Sequence, residues 1–104
     1  MHTYRVPIYE VGIQFTRSRK EFAKAVEAAG GFDDGQCADG LTCALDSGGF
    51  IVGVFTKDPG TMAHEMAHVA LDILEWAGFD AQAGNQEPFC YLLGHLINHF
   101  SKVR

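Results

Sequence analysis

The pentapeptide His64-Glu65-Met66-Ala67-His68 lies inside the run from Thr61 to Ala77, and its residue types and spacing suit metal chemistry. Residues four apart stand one above the other on a helix face, so both imidazoles can reach one zinc ion. The glutamate between them can then face a water polarised by that ion and take its proton. Such a site takes a third protein ligand and leaves a fourth position open.

The helix that must carry these groups separates into two faces when projected at about 100° per residue. Met62, Met66, Val69, Ala70, Ile73 and Ala77 gather as a core stripe, and His64, His68, Asp72 and Glu75 gather elsewhere, with Glu65 beside them. Leu71, Leu74 and Trp76 flank the polar groups, which favours a covered site over a simply solvated face. Asp58 with Pro59 at the first helical position, or else Thr61, caps the start, and Gly78 supplies the stop.

A last helix is expected from Gln86 to about Lys102, with Asn85 as its cap and Pro88 in its first turn. Phe89, Leu92, Leu93, Leu96 and Phe100 form its core stripe, while Glu87, Tyr91, Asn98 and, at the margin, His95 fall on a different face. Two antiparallel helices joined by the short loop Phe79 to Gly84 would bring Glu87 over the two histidines. The plainer role for Glu87 is to complement the helix dipole. Asp72 and Glu75 share the histidines' own helix and cannot easily surround a metal with them; Asp72 is better cast as an acid holding the far nitrogen of a histidine. His95 and His99 are four apart and could chelate, but no acid stands between them. Tyr91 or His95 suits a donor to the oxyanion of a tetrahedral intermediate, and each is more often a surface side chain. His2 carries no signal.

Ahead of this half, Val11, Ile13 and Phe15 alternate with Gly12, Gln14 and Thr16 at the period of a half-buried strand, and Pro7 keeps what precedes at an edge or outside the sheet. Ser18 with Glu21 reads as a capping box opening a helix to about Ala29, its stripe Phe22, Ala25, Val26 and Ala29. Residues 30–40 are turn-rich; Asp33, Asp34 and Asp39 lack calcium-loop spacing and read as solvated acids. Leu41 to Asp46 and Phe50 to Phe55, joined by Ser47-Gly48-Gly49, read as a β-hairpin. The expected fold is α+β over one domain, residues 1–104: about three strands, antiparallel or mixed, packed on three helices.

Composition narrows the function. The 104 residues are 47% apolar with a net charge of −5, enough for one core and against a general nucleic-acid binder. Arg17-Ser-Arg-Lys20 reads as a solvated helix start. No stretch approaches the roughly 20 apolar residues of a membrane span, and no secretory signal is visible. Cys37, Cys43 and Cys90 cannot all pair, which fits reduced thiols in a cytoplasm better than a disulfide framework or a cysteine metal half-site.

His64-Glu-Met-Ala-His68 followed by Asn85-Gln-Glu-Pro-Phe-Cys-Tyr-Leu-Leu93 resembles the gluzincin branch of zinc metallopeptidases, in the minimal single-domain form found in phage and prophage proteins. The resemblance covers residues 50–100. It implies zinc held by His64, His68 and Glu87, with Glu65 as general base and the oxyanion donor left open between Tyr91 and His95. The expected activity is hydrolysis of a peptide or protein substrate, with the outer hairpin strand, Phe50 to Phe55, pairing with an extended peptide. The alternative is a zinc-binding phage or prophage protein without protease activity that acts on a host protein by interaction; a third possibility is surface histidines with no metal.

Overall fold

The computed structural model describes residues 1–79 and 86–104, so the expected cap Asn85 and most of the Phe79–Gly84 loop lie outside the described residues. The order is β1 (His2–Val6), β2 (Val11–Thr16), α1 (Arg19–Ala28), β3 (Gly40–Ala44), β4 (Phe50–Val54), α2 (Pro59–Trp76) and α3 (Gln86–Phe100). The class is α+β as expected, with four strands where the hydrophobic pattern showed three.

The sheet runs β1-β2-β4-β3. β1 pairs antiparallel with β2, β2 parallel with β4, and β3 antiparallel with β4. This corrects one expectation. The strand from Phe50 is bonded on both sides, and the outer strand of the hairpin is β3. Its sequence explains why: Phe-Ile-Val-Gly-Val is apolar at every position and buried throughout, as a strand covered on both faces must be. On one face Ile51 meets Phe22 and Val26 of α1, with Leu41, Cys43 and Phe55 packed against them. On the other, Phe50, Val52 and Val54 join Ile13 and Phe15 under Met66, Val69, Ile73, Leu92, Leu96 and Phe100 of α2 and α3. Gly53 has to be glycine, since a Cβ there would collide with the Phe55 ring and come within 3.0 Å of Phe22.

The caps are largely as the residues dictate. Ser18 accepts from the Glu21 amide, but the reciprocal half of the box is rerouted: the Ser18 amide donates to Thr16 Oγ1, which donates in turn to Glu21 Oε1. Asp58 caps α2 through the Gly60 amide, so Thr61 lies inside the helix. Gly78, at φ 84°, ends α2 with the Phe79 amide bonded back to Leu74, a Schellman pattern. Ala29 and Ala77, placed on core stripes by projection, are exposed because each sits at its helix's last turn.

Two groups expected to be solvated are instead structural. Arg19 reaches Asp33 with both terminal nitrogens, at 2.7 and 3.1 Å, and the carbonyl of Gln36, tying the long loop to α1. That guanidinium holds the Asp33 carboxyl below its ordinary pKa. Arg17 donates to the carbonyls of Thr56 and Val103. The three cysteines are free thiols. Among the described residues no helix is long and apolar enough to cross a membrane.

Candidate functional site

α2 lies over β4 and β3, and its polar face looks past the sheet's β3 edge. Gly40, Thr42 and Ala44 alternate on the side of β3 nearest α2. Together with Leu41 they form one wall of a cleft of about 340 Å³, and His64, Glu65, His68 and Asp72 form the other.

Within it the pentapeptide has a defined geometry. His64 and His68 are exposed, their rings 4.8 Å apart at 81°, with the two Nε2 atoms 3.2 Å from each other. Two nitrogens bound to one tetrahedral zinc at about 2.0–2.1 Å each stand roughly 3.3 Å apart, so the pair suits such an ion. Glu65 is only 6% exposed. Its Oε1 accepts a 2.7 Å hydrogen bond from Thr42 Oγ1. Its Oε2 has no protein donor among the described residues and is not sealed from solvent, which leaves that oxygen open to a proton. Gly40 makes room for this carboxylate, because a Cβ there would stand 2.9 Å from Glu65 Cγ and 3.1 Å from Oε2.

The remaining expected residues are dispersed. Asp72 is half-buried and lines the cleft, but it makes no hydrogen bond to either imidazole. Glu75 is exposed and Glu87 is exposed in the first turn of α3; neither lines the cleft. Among the described residues no three His, Cys, Asp or Glu side chains are gathered as a metal site. Tyr91, 77% exposed, and His95 face a separate hollow formed with Val6, Pro7, Ile8 and Tyr9. The sheet order accounts for this: α3 packs toward β1 and β2, with Phe100 against Phe15 and Tyr4, whereas the histidines of α2 overlook β3 at the opposite edge.

A second imidazole cluster joins the ends of the chain. His2 Nε2 is 2.9 Å from His99 Nε2, Tyr4 stacks on His99 at 3.7 Å, and the Tyr4 hydroxyl is 2.6 Å from His95 Nε2. His95 and His99 thus both meet Tyr4 of β1, and His99 alone also meets His2; neither imidazole is hydrogen-bonded to the other. Burial, with repulsion from His2, His95 and Lys102, holds the His99 imidazole below its ordinary pKa.

Two features escaped the sequence reading: Thr42 and Gly40 as partners of Glu65, and the engagement of His2. The period of two along β3 could have placed Thr42 and Gly40 on one face; nothing in the sequence said which helix that face would meet. No family model, curated protein or solved structure matches this chain.

Proposed function

We propose that the chain is a zinc-dependent peptidase acting on a peptide or protein in the cytoplasm. The observation that carries this reading is the buried Glu65 carboxylate, clamped at one oxygen by Thr42 and lining the same cleft as two imidazoles whose nitrogens are spaced for one ion. His64 and His68 would hold zinc, and Glu87 is the third ligand this reading assigns, on the resemblance to gluzincins. When bound, zinc would polarise the scissile carbonyl and acidify water. Glu65 takes the proton of the attacking water and delivers it to the leaving amine. The open edge of β3, not β4, pairs with an extended substrate.

Glu65→Gln keeps an acceptor for the Thr42 hydroxyl but cannot take a proton. Cleavage of a peptide library should be abolished while zinc content, by elemental analysis of untagged protein, stays at one ion per chain; retained cleavage would sink the mechanism. Because Asp72 lines the cleft and Glu87 does not, zinc content of Glu87→Gln against Asp72→Asn decides the third ligand.

A second reading draws on Leu71 and Trp76, which are 46% and 49% exposed on the same helix as the histidines. In it the chain binds zinc but acts by contact with a host protein. Stoichiometric zinc with no cleavage of any library favours that reading, and absence of zinc leaves two histidines hydrogen-bonded to each other.

A further inference from the structure

The segment between β4 and α2 and the residues after α3 close around a cavity of about 810 Å³ that shares no lining residue with the histidine cleft. Phe55, Met62 and Val103 supply apolar wall. Arg17 supplies a fixed cation: its Nε donates to the Val103 carbonyl at 3.2 Å, its Nη1 donates to the Thr56 carbonyl at 3.1 Å, and the guanidinium lies 5.3 Å from the Phe15 ring centroid. Two carbonyls orient this group without neutralising it, and among the described residues no carboxylate lies within ion-pair distance of it.

Burial accordingly lowers the Arg17 pKa, with no acid raising it, yet a guanidinium stays charged at any ordinary pH. Lys57 lines the same cavity, as does Arg104, whose guanidinium shares its residue with the α-carboxylate, and the one acidic side chain in the lining is Asp58, whose Oδ1 is engaged by the Gly60 amide. On a chain of net charge −5 this is a local reversal of sign. Low-dielectric walls around like charges focus the field into the cavity. A cavity of several hundred Å³ with mostly apolar walls and a few fixed polar groups has the size and chemistry of a small-molecule site.

We propose that this cavity binds a small amphipathic oxyanion, its acyl or aryl tail against Phe55, Met62 and Val103 and its carboxylate or phosphate on Arg17. The guanidinium has further N–H donors beyond the two held by backbone, and its planar fork matches either head group. The proposal is independent of any metal at His64 and His68.

The test uses the whole chain and three probes of equal tail, octanoate, octyl phosphate and octanol, below their micellar concentrations. Binding is followed by calorimetry and by the Met62 methyl resonance. At least one anion should bind saturably, shift Met62, weaken as salt is raised, and exceed octanol about tenfold, the worth of one charge-assisted pair. Which of the two anions binds identifies the head group. Arg17→Met should erase the preference over octanol. The double variant Lys57→Gln, Arg104→Gln keeps both Arg17 hydrogen bonds, and should weaken the anion and flatten its salt dependence even where Arg17→Met fails to fold. Equal binding of octanol and both anions, no saturable binding, or shifts confined to Thr42 and the histidine cleft would each overturn the site.

Discussion

At the scale of single residues, the unusual group is Glu65: an acid 6% exposed, satisfied by one hydroxyl from a strand 23 residues away in sequence. Replacing Thr42 by valine keeps the shape and removes the donor, leaving a carboxylate oxygen desolvated without a partner. That should cost about 1–3 kcal/mol of stability and lower any hydrolytic activity, whereas Thr42→Ser should restore both. Thermal unfolding and turnover on the same samples check it; unchanged stability in Thr42→Val would show that the hydroxyl does not hold the carboxylate. This pairing also marks where legibility ends. The two histidines could be placed together from sequence because their geometry belongs to one helix turn. Thr42 and Gly40 could not, because their approach depends on which strand forms the sheet edge.

Among the elements, those announced by a specific residue chemistry were readable. Ser18, Asp58 and Gly78 mark helix ends, and Gly48-Gly49 marks the hairpin, because caps and tight turns need those side chains or that freedom. The β1–β2 connection has Pro7 but no glycine at its left-handed positions, and Pro7 alone reads equally as a segment outside the sheet, which hides the first strand. Its turn puts Ile8 at φ 70° and Glu10 at φ 57°, where a side chain is strained and a β-branched one most of all. The turn holds through the Tyr9 amide on the Pro7 carbonyl and the Glu10 amide on the Val6 carbonyl. Ile8 is 91% exposed, so replacing it loses almost no buried surface. Ile8→Gly should therefore relieve about 1–2 kcal/mol of left-handed strain, partly offset by glycine's unfolded-state freedom. The expected net gain is a few tenths to about 1 kcal/mol, a rise of up to roughly 4–8 °C in Tm. A lower Tm would mean that the side chain packs in solution.

For the whole molecule, strand order decides what the helices can share. With β1 and β3 at opposite edges, α3 is drawn toward the first strand and carries Tyr91 and His95 with it, away from the α2 histidines. Helical projection says which face a residue occupies, not which neighbour that face will meet, so Glu87 could be given a face but not a partner. The same arrangement joins the two ends of the chain through His2, Tyr4, His95 and His99, and makes that junction sensitive to protons. The groups facing His99 are His2 and Tyr4 from β1 and His95 and Lys102 from the far end of the chain. Burial comes first, then repulsion from His2, His95 and Lys102, and all lower its pKa from the ordinary 6.5. A base whose folded pKa is depressed is bound more tightly by protons in the unfolded chain. Its stabilising contribution is therefore complete above the unfolded value and is lost as pH falls from about 6.5 toward the folded value. His99→Phe keeps a ring for the stack on Tyr4 and removes the titration. Wild-type Tm should drop more steeply than that of His99→Phe as pH is lowered through this window, with His2→Gln intermediate because it removes one of the repelling imidazoles. Parallel Tm profiles for the wild type and His99→Phe would show that the junction does not respond to protonation.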